Sequence, residues 1–211
     1  MKRKVLLVGA ALAVAAATAS AETIYSSNVV GYVNLDLVAG WNMVANPLDA
    51  GVNTLNALLQ GVPDGTTVMK FQNGAFTAGS GYDAEFEEWS IDYAINPGEG
   101  FFVNLPEAFT VTFVGEVKAG NHSVALPAGW SMVASPTPVA GDLASIGLGL
   151  PVVQDGDYVM SWNPTAQAYG AANGFDGEFE EWSFNQTVGV GEAFFINLKA
   201  PSTWTRTFEI K

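Results

Sequence analysis

The 211-residue sequence contains no cysteine and a single histidine, His122. Disulfide bonds are therefore excluded, as is a zinc site built from four histidine or cysteine ligands. A cysteine nucleophile is excluded for the same reason, and no Gly-x-Ser-x-Gly elbow occurs. No glycine-rich loop opens a helix, as a phosphate site requires. We therefore expect a protein that is not an enzyme.

Basic residues are also scarce, with eight lysines and arginines against 21 acidic residues and a net charge of −13. An acidic chain is repelled by nucleic-acid phosphates and by anionic membrane surfaces, so neither is an expected partner. The composition is nonetheless 49% hydrophobic and 12% aromatic, which is enough to build a core and argues against intrinsic disorder.

The N-terminus has the pattern of a signal peptide. Basic residues 2–4 precede an apolar, alanine-rich run from Val5 to Thr18, and residues 19–21 are small. This pattern predicts cleavage after residue 21 and export to the periplasm, the cell surface or the medium, with no membrane insertion of the mature chain.

Three motifs occur twice in the remaining chain. Residues 40–47, 83–89 and 98–105 return in similar form as residues 129–136, 176–182 and 191–198. A tandem duplication therefore predicts two modules, at residues 22–117 and 118–211.

Each module contains short β-type runs separated by glycine, proline and asparagine turns. Residues 33–37 and 41–45 predict a hairpin, and Asn53 and Asp142 each precede a short stretch of helical spacing. We expect a mainly β fold of two tandem sandwich-like or barrel-like modules, each with one helical turn.

The module boundaries leave two arrangements open. Residues 30–33 resemble residues 114–117, so Ile24 to Val29 is predicted to be a strand equivalent to residues 109–113. The modules then either share terminal strands or follow one another as separate units. An unpaired leading strand would add to the sheet edge of a neighbouring molecule.

The motifs resemble those of a family of exported bacterial β-repeat proteins of unknown function. The resemblance rests on Gly40 to Pro47, Tyr82-Asp83 with Trp89, Pro97 to Val103 and Thr110 to Gly115, and the second copy departs from it at Ser131, Phe175, Val190 and Ala193. It implies secretion and a β-rich module typical of surface proteins, and it supplies no catalytic residues.

Two groups of residues are candidates for binding. The first is a repeated carboxylate segment, which predicts either a weak calcium site or, preferably, an aspartate cap on one solvated helical turn. In that turn Phe86 and Trp89, and likewise Phe179 and Trp182, would share one buried face. The carboxylate residues of the segment are Asp83, Glu85, Glu87, Glu88, Asp176, Glu178, Glu180 and Glu181.

The second group consists of tryptophans that would stack on sugar rings if exposed. Trp41, Trp89, Trp130 and Trp182 repeat and are expected in the core, whereas Trp162 and Trp204 have no tryptophan counterpart and are expected to be exposed.

The sequence thus predicts a non-catalytic structural or adhesive protein that associates with itself or with other surface proteins through edge strands. The alternatives are a carbohydrate-binding module that recognises glycans and a weak calcium-binding module. No cofactor other than calcium is expected.

Overall fold

A computed structural model describes residues 29–143, 148–150 and 153–210. The predicted signal peptide, residues 24–28 of the leading strand and residues 144–146 of the second predicted helix lie outside this description. The described chain is mainly β, as expected. No helix within it is long and apolar enough to cross a membrane.

The first half of the chain forms eight strands and one short helix. They are β1 (Val30–Leu37), β2 (Gly40–Ala45), α1 (Leu55–Leu58), β3 (Thr67–Gln72), β4 (Ala75–Phe76), β5 (Ser80–Asp83), β6 (Glu88–Trp89), β7 (Gly100–Leu105) and β8 (Phe109–Glu116). The helix was predicted with Asn53 as its cap, but Thr54 occupies that position, and Asp92 accepts the Asn56 N–H at 2.9 Å.

The second half adds eleven strands. They are β9 (Gly120–Leu126), β10 (Gly129–Val133), β11 (Gly141–Asp142), β12 (Tyr158–Met160), β13 (Trp162–Asn163), β14 (Ala168–Tyr169), β15 (Asn173–Asp176), β16 (Glu181–Trp182), β17 (Thr187–Val188), β18 (Phe194–Leu198) and β19 (Ser202–Phe208).

Both halves use the same strand order. The main sheet of the first half runs β2-β7-β3-β5-β6, and that of the second runs β10-β18-β12-β15-β16. The first and last strands of each half form a separate antiparallel ribbon, β1 with β8 and β9 with β19. These four strands therefore pair within their own half, and no strand is exchanged between halves among the described residues.

The predicted hairpin of residues 33–37 with 41–45 is wrong. Strand β1 pairs with β8 and strand β2 with β7, so the short connection between β1 and β2 is a corner between two sheets. The turn residues correctly indicate that the chain changes direction there. However, β1 pairs with the distant strand β8 and not with its neighbour β2.

Each half has its own core between the ribbon and the main sheet. Along β1 and β8 the side chains alternate, so that Leu37, Val111 and Phe113 are buried while Thr110 and Thr112 face solvent. In the second half Leu126 and Trp204 occupy the corresponding ribbon positions in the core.

A third core lies between the two main sheets, which pack face to face as in a β-sandwich. Its centre is formed by matching residues of the two halves, Met43 and Phe102 from the first and Met132 and Phe195 from the second. All four are at most 5% exposed. Truncating either phenylalanine to alanine would cost about 3–5 kcal/mol on typical scales for buried aromatic residues.

The two halves also complete each other's sheet edges in a reciprocal way. The Ala45 N–H donates to the Gly191 C=O at 2.9 Å, and the Ala134 N–H donates to the Gly98 C=O at 3.1 Å. Corresponding residues thus exchange partners across an approximate two-fold axis, as in a symmetric homodimer.

Close to this axis, Gly100 faces Ala193. A Cβ atom added at Gly100 would lie 2.9 Å from the Ala193 Cβ and 2.8 Å from the Met132 Cγ. Only one of the two equivalent positions can carry a methyl group. This explains why the second copy has alanine where the first has glycine.

We predict that Gly100→Ala destabilises the protein by about 1–3 kcal/mol through overpacking. Ala193→Gly in the same chain removes the opposing methyl group, so the double variant should be more stable than Gly100→Ala alone. Urea unfolding of the three variants measures both effects. A Gly100→Ala variant as stable as the wild type would contradict the close packing at this axis.

A partly exposed polar cluster fixes the end of β8. The backbones of Asp49 and Glu116 exchange two hydrogen bonds of 3.1 and 2.7 Å, and the Asp49 carboxylate forms an ion pair with Lys118. Hydrogen bonds from Lys118, Asn53 and Gly51 lower the pKa of Asp49 from 3.8 to about 2. A Cβ atom at Gly115 would meet the Asp49 backbone at 2.6 Å, so this approach requires glycine.

Because the pKa of Asp49 is lower in the folded than in the unfolded state, its contribution to stability is full above about pH 4. We predict that this contribution is lost as the pH falls from about 4 to about 2. Asp49→Asn should flatten that part of the pH profile of the free energy of unfolding. Identical slopes for the two proteins between pH 4 and 2 would rule out this role.

Candidate functional site: the acidic hairpin tips and the free ribbon edge

The repeated acidic segments form two equivalent hairpin tips. Strands β5 and β6 are joined by residues 84–87, and strands β15 and β16 by residues 177–180. The Asp83 Oδ1 accepts the N–H groups of Glu85 and Phe86 at 2.9 and 3.2 Å. Asp176 does the same for Glu178 and Phe179 at 2.9 and 3.1 Å. Both aspartates therefore accept N–H groups of the chain that follows, as predicted, although this chain is a hairpin loop and not the predicted helical turn.

A residue in the left-handed region closes each tip. Glu87 has a φ of 52° and Glu180 a φ of 54°. The chain here forms a hairpin loop that re-enters a strand, so the expected helical turn is wrong. The two tips adopt the same conformation, which shows that the repeated motif encodes a local structure.

Phe86 and Phe179 lie in the loops of the two tips and are 67% and 69% exposed. We expected Phe86 and Phe179 to share a buried face with Trp89 and Trp182. That prediction is wrong for the phenylalanines, because the loop points them away from the sheet, and right for the tryptophans, which are 5% and 8% exposed.

The carboxylates of the tips spread into solvent. Glu85, Glu87, Glu88, Glu178, Glu180 and Glu181 are all exposed. One further carboxylate joins each tip, because the Ala84 and Gly177 N–H groups donate to Asp64 and Asp155 at 3.0 and 3.3 Å. Within the described residues, no group of three or more histidine, aspartate or glutamate side chains is arranged to hold a metal ion.

The exposed position predicted for Trp204 is wrong. Trp204 is fully buried, contacts Phe194, and donates its indole N–H to the Leu148 C=O at 3.0 Å. It is an inward-facing residue of β19, where strand alternation places it in the core. A sugar ring has no access to this side chain.

Trp162 is partly buried between the two halves. Its ring makes edge contacts with Phe102 and Tyr169 at centroid distances of 5.1 and 5.0 Å. Its indole N–H donates to the Trp41 C=O at 2.8 Å. Trp162 therefore belongs to the packing between the sheets and is not an open stacking platform.

The free edge of strand β8 is a candidate site that no sequence motif indicates. Glu116 pairs with Asp49 on the side of β8 that faces away from β1, so the alternation of an antiparallel ladder directs the N–H and C=O groups of Thr110, Thr112 and Val114 to that side as well. These six groups have no hydrogen-bond partner in the described residues. They border a cleft of about 420 Å³ between β8 and the chain around α1.

Exposed apolar side chains lie on the adjoining face of the same ribbon. Tyr32 is paired directly with Val114, and the two are 68% and 53% exposed, while Val30 at the ribbon end is 69% exposed. The period-two alternation of β1 places these side chains on one face. Only the pairing of β1 with β8 shows that they form a single patch beside an open edge.

Comparison of the chain with protein-family models, curated proteins and solved structures gives no match. Inference about function therefore rests on the geometry of the tips and of the ribbon edge.

We predict that Asp83→Ala destabilises the protein by about 0.5–2 kcal/mol, because two N–H groups of the tip lose their acceptor. Asp83→Asn keeps an oxygen acceptor and should cost less. Glu85→Gln, at an exposed neighbouring position, is the matched control and should change stability by less than about 0.5 kcal/mol. Chemical denaturation of the three variants measures these differences, and equal stability of Asp83→Ala and the control would contradict the capping role.

Proposed function

We propose that this chain is an exported, non-catalytic adhesive protein that associates with a second copy of itself through the free edge of β8. The open edge is the observation that carries the proposal. A strand edge with unpaired N–H and C=O groups is a template for another strand, and folded proteins usually protect such edges. Here the six outward groups of Thr110, Thr112 and Val114 have no hydrogen-bond partner among the described residues and border the cleft beside α1.

The geometry of this edge is self-complementary. Two copies of β8 placed antiparallel would pair Thr112 with Thr112 of the partner and Thr110 with Val114 of the partner. The result would be a four-stranded sheet with β1 at each outer side. An interface of this kind uses the same surface on both molecules, which is the usual arrangement in homodimers.

The side chains around the edge favour contact over repulsion. The solvent-facing positions of the ribbon are Val30, Tyr32, Asn34, Asp36, Thr110, Thr112, Val114 and Glu116, of which only two are charged. Much of the chain's negative charge is concentrated at the two hairpin tips. Pairing of the edges would place Val114 beside Thr110 of the partner on the face that carries Tyr32.

The central hydrogen bonds of the proposed contact between two β8 strands can be removed without breaking the pairing of β1 with β8. Thr112→Pro deletes an N–H that points away from β1, and proline is tolerated at such edge positions. We predict that the wild-type mature protein forms oligomers in a concentration-dependent manner and that Thr112→Pro is monomeric. Light scattering coupled to size-exclusion chromatography measures both.

Thr112→Val is the matched control, because it keeps the backbone N–H and loses only the hydroxyl bond to Asn34 at 2.7 Å. It should associate like the wild type. Deletion of residues 22–28 tests whether the segment before β1 takes part, since oligomers that survive this deletion depend on β8 alone. A wild-type mature protein that stays monomeric at high concentration would refute the proposal.

A further inference from the structure

Two equivalent pockets lie at the two ends of the interface between the halves. One is formed by the corner between β9 and β10, the turn between β3 and β4, and the loop before β7, and it has a volume of about 750 Å³. The other is formed by the corner between β1 and β2, the start of the turn between β13 and β14, and the loop before β18, and it measures about 290 Å³. The two halves thus build corresponding pockets that differ in size.

The side chain of Gln167 occupies the space beside Gly40 and Trp41, next to the smaller pocket. The corresponding space beside Gly129 is empty, since a Cβ atom added there would meet nothing within 4 Å. The Trp41 N–H donates to the Gln167 Oε1 at 2.7 Å, and the Gln167 Nε2 donates to the Trp41 C=O at 3.0 Å. Gln167 adopts a φ of 51° in the turn. This left-handed conformation is unfavourable for a residue other than glycine. The carboxamide therefore binds both backbone groups of a single residue.

The larger pocket lacks such a side chain because its turn is shorter. Residues 72–75 separate the paired Phe71 and Phe76, whereas residues 163–168 separate Trp162 and Tyr169. The shorter turn has Asn73-Gly74 at its centre and carries no residue equivalent to Gln167. Phe71 also lacks the indole N–H that Trp162 directs to Trp41.

Trp130 corresponds to Trp41 and lines the larger pocket. It pairs with Asn197 as Trp41 pairs with Asn104. The N–H and C=O groups of Trp41 point away from β7 to Gln167, so those of Trp130 point away from β18. Neither group of Trp130 has a hydrogen-bond partner among the described residues.

We infer that the larger pocket is a binding site for a primary carboxamide, the side chain of a glutamine in a peptide. A primary carboxamide presents an oxygen acceptor and an N–H donor on the same side, which matches the donor and acceptor of Trp130 as Gln167 matches those of Trp41. A trans peptide group or an N-acetyl group directs its oxygen and N–H to opposite sides, so it cannot bind both. A carboxylate has no donor and an ammonium group no acceptor.

The size and lining of the pocket fit this ligand. Its volume lies within the usual range of small-ligand sites. The walls combine apolar side chains such as Phe71 and Val124 with the ion pair of Lys70 and Glu99, whose atoms are 3.1 Å apart. A short peptide segment can therefore rest on the walls while its carboxamide reaches Trp130. This site does not depend on the self-association proposed above.

The first test titrates the mature protein with acetyl-Ala-Gln-Ala-N-methylamide, whose end groups contain no primary carboxamide. Nuclear magnetic resonance should show a saturable shift of the Trp130 backbone amide signal. The corresponding peptides with glutamate or methionine at the central position should bind at least about tenfold more weakly, because they lose one or both hydrogen bonds. Equal binding of the three peptides, or no shift of the Trp130 signal, would overturn the inference.

The second test copies the turn that carries Gln167 into the turn between β3 and β4, beside the larger pocket. Replacing Asn73-Gly74 by Pro-Thr-Ala-Gln, the sequence of residues 164–167, should place a glutamine on Trp130 and abolish peptide binding. The matched control replaces the same two residues by Pro-Thr-Ala-Ala and should still bind the peptide. Loss of binding in both replacements, or in neither, would contradict a carboxamide site.

A third variant tests the site without altering the first turn. Gln167→Ala removes the carboxamide from the Trp41 backbone and should raise the stoichiometry from one to two peptides per chain. It should also expose the Trp41 amide to hydrogen exchange. A stoichiometry that stays at one peptide, with the Trp41 amide still protected, would show that Gln167 does not occupy an equivalent site.

Discussion

The face-to-face packing of the two main sheets is the contact on which the rest of the structure depends. Each sheet turns one face to its own ribbon and the other to the second half, so both faces are buried. Met43 and Phe102 would face water without Met132 and Phe195. The loops before β7 and β18 also hold the edge of the opposite sheet through reciprocal hydrogen bonds. The two halves therefore contact each other as the subunits of a symmetric homodimer do.

The same packing explains where the two copies differ. An approximate two-fold axis brings equivalent residues together, and there they cannot both be large, as Gly100 and Ala193 show. Away from the axis the copies are free to diverge. The two turns that correspond across it have different lengths, so Gln167 binds the backbone of Trp41 while the backbone of Trp130 has no such partner among the described residues. The two halves thus share a strand order but differ in the shape of the corresponding pockets.

Charge is distributed unevenly over this frame. In both acidic tips an aspartate accepts N–H groups of the loop. The glutamates beside it are exposed to solvent. The ribbon of β1 and β8 has few charges and an open edge. Long-range repulsion from the tips keeps non-specific contacts unfavourable, whereas the ribbon remains available for a specific one.

Much of the local structure was predictable from the sequence, because it depends on neighbouring residues. The strand-like runs, the helix near residue 55 and the capping by Asp83 follow from alternation, turn residues and short side-chain-to-backbone bonds. Exposure was harder to predict, even for residues of one repeated motif. Trp89 was placed correctly in the core, whereas Phe86 was not, because the direction of a loop side chain depends on how the hairpin closes.

The sequence by itself determined a mainly β chain with a repeated acidic turn and a repeated set of strands. Only the tertiary structure decided that β1 pairs with β8, that Trp204 is buried, and that an edge and a pocket stay open. The physical reason is that strand partners far apart in the chain are selected by the fit of complete sheets. That fit depends on contacts between residues such as Phe102 and Phe195, which no local pattern connects.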